Sequence, residues 1–199
     1  LNKEEKLYSG KILKLPEIWN AHSGFGFKRQ YNKLPSSDSS DFTFGSFNNF
    51  QKISEETINT WSKILKQSCI FKLILKSSDF CDNTCLFNYF KKEKVERQVH
   101  FLEKKNFKNK EDHLNLYKNI DLALDTFPYN GVTTTFEALW MNVPVLVLRG
   151  YNFNSRCGES IMKNCNLDYF IASNDDEYVE KAIFLTKNKK KLQEYRHFL

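Results

Sequence analysis

From residue 41 onward, short apolar runs alternate with stretches whose apolar residues recur at helical spacing. This rhythm limits the fold more than any other feature. Strands joined by helix-length crossovers pair in parallel, and their helices must cover the faces of the sheet. Phe42 to Phe47, Phe71 to Leu75, Gln98 to Leu102, Ile120 to Asp125, Val143 to Leu148 and Tyr169 to Ala172 read as six strands. Val143 to Leu148 is apolar on both alternating faces, as buried parallel strands are. Between the strands, Ser54-Glu55-Glu56-Thr57 is a capping-type start, and Ile58, Trp61, Ile64 and Leu65 follow at helical spacing. Further helices are expected over 83–92, 110–118, 133–141 and 155–163, with a terminal one from Asp175. The fold class is therefore α/β, a doubly wound, Rossmann-like parallel sheet that binds ligands at the carboxyl ends of its strands.

The first forty residues do not share this rhythm. Leu34-Pro35-Ser36-Ser37-Asp38-Ser39-Ser40 reads as a linker, and what precedes it as the tail of another unit. The division is thus 1–40 and 41–199. The opening Leu1-Asn2-Lys3-Glu4 is not a signal peptide and lacks an initiator Met, which suggests a piece of a longer protein. A composition of 41% hydrophobic and 27% charged residues excludes wholesale disorder. No apolar run approaches the roughly 18–20 residues that span a bilayer. The net charge of +6 admits anionic partners. However, the runs at 91–94 and 187–191 lack interleaved stacking aromatics and read as solvated faces, so no nucleic-acid partner is expected. Cys69, Cys81, Cys85, Cys157 and Cys165 are odd in number, and no second Cys/His pair completes a zinc site. Free thiols in the cytoplasm are the reading that follows.

Three segments carry possible chemistry. In Asp125 to Trp140 a strand ends, a Pro/Asn/Gly loop crosses, and Thr133, Thr134 and Thr135 open a helix. A helix N-terminus holds phosphate through unpaired N–H groups, and the three hydroxyls are added donors. Glu137 lies one turn past Thr133, where a carboxylate can accept from vicinal ribose hydroxyls. Equally, Thr133 would serve as a helix cap and Glu137 as a favourable first-turn acid. Lys110 and His113, at the start of another helix, can face the same cleft or be a solvated helix start. After the first strand, Lys52 can reach a diphosphate and Asn49 can donate its amide; a polar connecting loop is the plainer reading. All three segments follow strands of one sheet, where one ligand would sit.

Together these segments resemble glycosyltransferase family 41, the family of O-GlcNAc transferase and plant SPINDLY. The resemblance rests on Phe44-Gly45-Ser46-Phe47-Asn48-Asn49 continuing to Lys52-Ile53 and Trp61. It rests further on Leu124-Asp125-Thr126-Phe127-Pro128-Tyr129-Asn130-Gly131 with Thr133-Thr134-Thr135, on Glu137-Ala138-Leu139-Trp140, and on Val143-Pro144-Val145. Asn154-Ser155-Arg156 with Gly158 and Ser160, and Tyr8-Ser9 through Leu15-Pro16, extend it over nearly the whole chain. It implies the carboxyl-terminal lobe of a GT-B enzyme, with 1–40 as the segment linking the lobes. Nucleotide-diphosphate contacts fall at Asn49, Lys52, Lys110, His113, Thr133 and Thr134, and the ribose contact at Glu137. Family members use no metal, and no cofactor is expected beyond the nucleotide-sugar substrate. Val132 stands where the animal enzymes carry His, and Glu137 where they carry Asp, as in SPINDLY and many bacterial members. The implied partners are a protein acceptor, an amino-terminal lobe and tetratricopeptide repeats.

The resulting expectation is transfer of a sugar to a Ser or Thr hydroxyl of a protein, with leaving-group stabilisation falling to Lys52 with Thr133 and Thr134. UDP-N-acetylglucosamine is the first donor and GDP-fucose the second. A non-catalytic nucleotide-binding lobe is the rival. A dinucleotide oxidoreductase is disfavoured because the first loop is Asn-Asn-Phe-Gln-Lys, not Gly-x-Gly-x-x-Gly.

Overall fold

In the computed structural model, residues 6, 8–13, 15–26, 31, 33–76, 80–102 and 109–199 are described, those at 80–82 by backbone alone. The strands are β1 (Phe42–Ser46), β2 (Phe71–Lys76), β3 (Val99–Leu102), β4 (Leu122–Leu124), β5 (Val145–Leu148) and β6 (Ile171–Ala172). The helices are α1 (Glu55–Leu65), α2 (Phe80–Lys92), α3 (Lys110–Asn115), α4 (Thr133–Trp140), α5 (Cys157–Asn164), α6 (Asp175–Lys187) and α7 (Lys189–Phe198). The strands form one parallel sheet in the order β3-β2-β1-β4-β5-β6. The order reverses between β1 and β4, so the crevice outside their carboxyl ends is where such a sheet takes a ligand.

Local signals place the helices. The Ser54 hydroxyl accepts from the Thr57 N–H at 3.1 Å to start α1, and the Asn174 side chain accepts from the Glu177 N–H at 2.9 Å to start α6. Trp61, Ile64, Phe44, Leu73, Leu122 and Leu146 are buried between the sheet and its helices. Each aliphatic side chain so buried contributes about 1.5–3 kcal/mol. Gly45 sits where β1 passes the entry to β4. A methyl group there would lie 2.6 Å from a methyl carbon of Ile120, so any side chain would push the strands apart.

Two expectations change in detail. The terminal helix is two helices: after Lys187 the Asn188 N–H turns back to the Phe184 carbonyl, and α7 starts anew. Ser155 lies before its helix, since its hydroxyl is bonded to Asn152 in the preceding turn. The stretch that reads as a linker packs into the domain. Leu34 is 2% exposed, Pro35–Asp38 is a 3-10 turn, and the buried Ser36 donates its N–H to Asp121 at 2.8 Å. Lys189, in a run that reads as solvated, donates to the carbonyls of Ser36 and Ser39. Among the described residues no helix is long and apolar enough to cross a membrane.

Asp121 is the knot at the amino end of β4. Its carboxylate accepts from Ser36 and Thr43, both at 2.8 Å, while the fully buried Arg196 of α7 donates to the Ile120 and Asp121 carbonyls. Asp121→Ala leaves two N–H groups without an acceptor. It is expected to cost about 3 kcal/mol, seen as a fall in Tm of roughly 6–12 °C by calorimetry.

Candidate functional site

Two loops build the site: 47–54 after β1 and 125–132 after β4. Asp125 organises them. It is the first polar residue beyond the apolar run of β4 and is 1% exposed. Its Oδ1 accepts from the N–H groups of Thr126 at 2.9 Å and Gly131 at 2.7 Å, and from the Asn48 amide at 3.1 Å. Among the described residues Oδ2 has no hydrogen-bond partner. Burial pushes this carboxyl up to about 7, opposed by the Gly131 and Thr126 N–H groups, the Asn48 amide and the Lys52 charge.

The next shell holds the loops to one another. Asn130 donates its amide to the Thr126 carbonyl, and its side-chain oxygen accepts from Gly158 at the start of α5. Lys52 donates to the Asn130 carbonyl at 3.0 Å and lies over the Tyr129 ring at 4.2 Å from the centroid. Burial lowers the Lys52 pKa, and the charge of Asp125 works against that. Burial likewise raises the Cys157 thiol, with Asp125 adding to the rise.

The cavity here has a volume of about 310 Å³. It is lined by Trp19, Asn48, Asn49, Lys52, Tyr129, Val132, Thr133, Thr134, Phe153, Asn154 and Cys157. Asn49, Lys52, Thr133 and Thr134 thus meet, though they lie far apart in the chain. Asn49 uses its carbonyl to cap the Phe50–Lys52 turn, accepting from Gln51 at 3.0 Å, so its amide nitrogen is the group for the cavity. Thr133 is not a cap: Val132 holds that position, with no side-chain cap bond. The first N–H groups of α4 therefore have no intrahelical acceptor.

Thr135 does not join them. It is 1% exposed, and its hydroxyl is bonded to the Gly131 carbonyl at 3.1 Å. Three hydroxyls in a row cannot share one side of a helix, because successive residues are rotated by about 100°. His113 and Glu137 come together away from the cavity lining. His113 Nε2 lies 3.0 Å from Glu137 Oε2, which also accepts from the Tyr117 hydroxyl at 3.3 Å. Burial and then the Glu137 charge raise the Tyr117 pKa well above its usual value. Lys110 sits in a separate hollow with Gly26 and Asn109, its ammonium 4.8 Å from the Phe25 ring centroid.

Asn48, Asn130 and Tyr117 were not expected from the sequence as organisers of the site. Asn130-Gly131 reads only as a turn, and a Tyr on a core face reads as packing. Asp125 has a weak signal, a lone carboxylate directly after a buried strand.

Parallel sheet order, a switch-point cavity and an uncapped helix facing it define a doubly wound α/β domain built to hold an anionic ligand, and the comparisons place it among the carboxyl-terminal lobes of GT-B glycosyltransferases. Residues 25–198 match the model of glycosyl transferase family 41. A tomato (Solanum lycopersicum) protein described as a probable UDP-N-acetylglucosamine–peptide N-acetylglucosaminyltransferase SPINDLY is 36% identical over 157 residues, 77% of this chain and 17% of that protein. A solved structure of a mutant Thermobaculum terrenum O-GlcNAc transferase superposes with a TM-score of 0.75 at 30% identity, over 80% of this chain and 31% of that one. The carboxyl-terminal domain of a Francisella tularensis group 1 glycosyl transferase shares the fold at a TM-score of 0.60 and 12% identity, covering 85% of this chain and 88% of that domain. The chain belongs to glycosyltransferase family 41. It spans under a quarter of the length of its curated relatives.

Asp125 gives the site a pH signature. Its folded pKa is raised, so the native state holds the proton more tightly than the unfolded chain. The stabilisation is complete below about pH 4 and is lost as pH rises towards 7. Across that window wild-type stability should decline relative to Asp125→Asn by up to about 4 kcal/mol, measured by urea titration at each pH. Parallel pH profiles for the two proteins would show that the carboxylate is not held as described.

Proposed function

We propose that this chain is the nucleotide-sugar-binding part of an enzyme that transfers a sugar to Ser or Thr hydroxyls of proteins. N-acetylglucosamine from UDP-N-acetylglucosamine is the first choice of donor. The observation that carries the reading is the convergence of Asn49, Lys52, Thr133 and the N-terminus of α4 on one cavity at the switch point. The names of the relatives add the sugar and the acceptor class.

When the bond between sugar and diphosphate breaks, negative charge builds on the leaving diphosphate. Lys52 is poised to meet it. Its carbonyl and aromatic contacts fix the ammonium at the cavity wall, and partial desolvation strengthens its field there. The N-terminus of α4 adds backbone donors from the other side. No metal or further cofactor is assigned to this step. On the nucleoside side, Glu137 has Oε2 engaged by His113 and Tyr117, which holds the carboxylate in place for a ribose hydroxyl at Oε1. Lys110 with Phe25 is assigned to the base. Thr135 supports the loop and is not assigned a ligand contact.

A second hollow of about 700 Å³, between residues 8–12 and α5, shares Trp19, Phe153 and Cys157 with the cavity. It gives room for the sugar. Because the relatives are several times longer, the acceptor site and the opposing lobe are assigned to parts outside these residues. Cys69, Cys85 and Cys157 carry free thiols, which supports a cytoplasmic setting.

Titration calorimetry with uridine, UDP, guanosine and GDP tests this. UDP should bind more tightly than uridine, and a preference for GDP would move the donor to GDP-fucose. Lys52→Ala should lower UDP affinity about 10- to 100-fold while leaving uridine within about threefold, because its partner is charged. Glu137→Ala should weaken uridine and UDP alike. Equal losses for nucleoside and diphosphate in Lys52→Ala would overturn the assignment.

A further inference from the structure

Thr133 and Thr134 open α4 side by side, yet their hydroxyls have different surroundings. Thr133 is exposed, whereas the Thr134 hydroxyl lies 2.6 Å from the side-chain oxygen of the buried Asn48. The polarity of that contact is set two residues away. Asp125 Oδ1 already accepts from two backbone N–H groups and can only accept again. Asn48 must therefore turn its NH₂ group to Asp125, as the 3.1 Å contact shows. The flipped amide would set oxygen against oxygen. With its nitrogen committed, Asn48 offers only its carbonyl to Thr134, and the single hydroxyl proton of Thr134 must point inward to it.

Gly131 closes the arrangement from above. A methyl group there would lie 2.4 Å from the Thr134 hydroxyl, 2.6 Å from the Asn48 carbonyl oxygen and 3.0 Å from Asp125 Oδ1. The glycine backbone therefore covers all three oxygens, and no side chain fits between them. An ionised phosphate oxygen only accepts hydrogen bonds. The Thr134 hydroxyl turns lone pairs to the cavity and would repel it, unless the inner bond broke and stranded the Asn48 carbonyl.

We propose that Asp125 and Asn48 form a polar relay that turns the Thr134 hydroxyl inward, so that the Thr133 hydroxyl and the α4 N–H groups are the outward donors to a diphosphate and Thr134 is a positioning residue. The inference rests on the diphosphate reading of the cavity, and it divides two neighbouring threonines that look equivalent in the sequence.

Calorimetry with UDP and uridine on the full chain tests the division. Thr133→Val should lower UDP affinity about 10- to 100-fold with uridine unchanged, as expected for a lost donor to a charged group. Thr134→Val should keep the UDP-to-uridine affinity ratio within about threefold. It should instead lower the Tm by several degrees, because Asn48 loses its donor, and Thr134→Ser should restore it. A Thr134→Val loss of ratio equal to that of Thr133→Val overturns the proposal.

NMR supplies a measurement that does not need the Val variant to fold. The wild type should show a slowly exchanging Thr134 hydroxyl proton that is absent in Asn48→Ala and is retained on saturation with UDP. A coupling from that proton to a UDP phosphorus, or its loss on saturation, is the contrary result. A wild type that binds UDP no better than uridine sinks the diphosphate reading and the outward roles with it. The inward bond then still stands or falls on the resonance in the free protein.

Discussion

A carboxylate removed from water needs donors, and at the end of β4 the chain folds its own backbone around one. The Asp125 Oδ1 atom draws in the N–H groups of Thr126 and Gly131, which closes the intervening loop into a tight turn. From that turn the rest of the site is hung. Asn130 holds the start of α5 and gives its carbonyl to Lys52, while Asn48 carries the contact across to α4. Burial opposes ionisation and the donors favour it, and the balance leaves the group titrating near 7, well above an ordinary Asp.

The two ends of β4 show how one residue type serves two ends. Asp121 precedes the strand and Asp125 follows it, and both are buried. At the amino end, Asp121 gathers the segment before β1 and lies against the carbonyls that Arg196 binds, so it ties the terminal parts of the domain to the sheet. At the carboxyl end, Asp125 gathers loops. The difference follows from the parallel sheet, whose carboxyl ends carry the open crevice while the amino ends are packed.

The site also shows where side-chain identity and location part company. Lys52 and Asn49 reach the cavity from the loop after β1, and Thr133 and Thr134 from the start of α4, brought together because β1 and β4 are neighbours in the sheet. Trp19 and Phe153, from the segment before the sheet and from the approach to α5, form the aromatic rim, packed edge to face at 4.9 Å. In the proposed enzyme that rim separates the diphosphate cavity from the larger hollow beside it.

Much of this was legible in the sequence. Alternating periodicity set the parallel α/β sheet, and Ser54 marked a helix start, because caps and periods are local properties of the chain. The loop after β4 announced itself through Pro128, Asn130, Gly131 and the threonines. The sequence did not reveal that Leu34 and Ser36, amid turn-forming residues, would be buried, since their partners Gln193 and Asp121 lie far along the chain. Nor did it separate the three threonines. Composition makes each a donor of one hydroxyl, and the sequence by itself determined that they open a helix beside a strand end. Which of them faces outward, which is turned inward by Asn48 and which is spent on Gly131 was decided only by the tertiary structure, because the direction of a hydroxyl proton is set by the acceptor that folding places next to it.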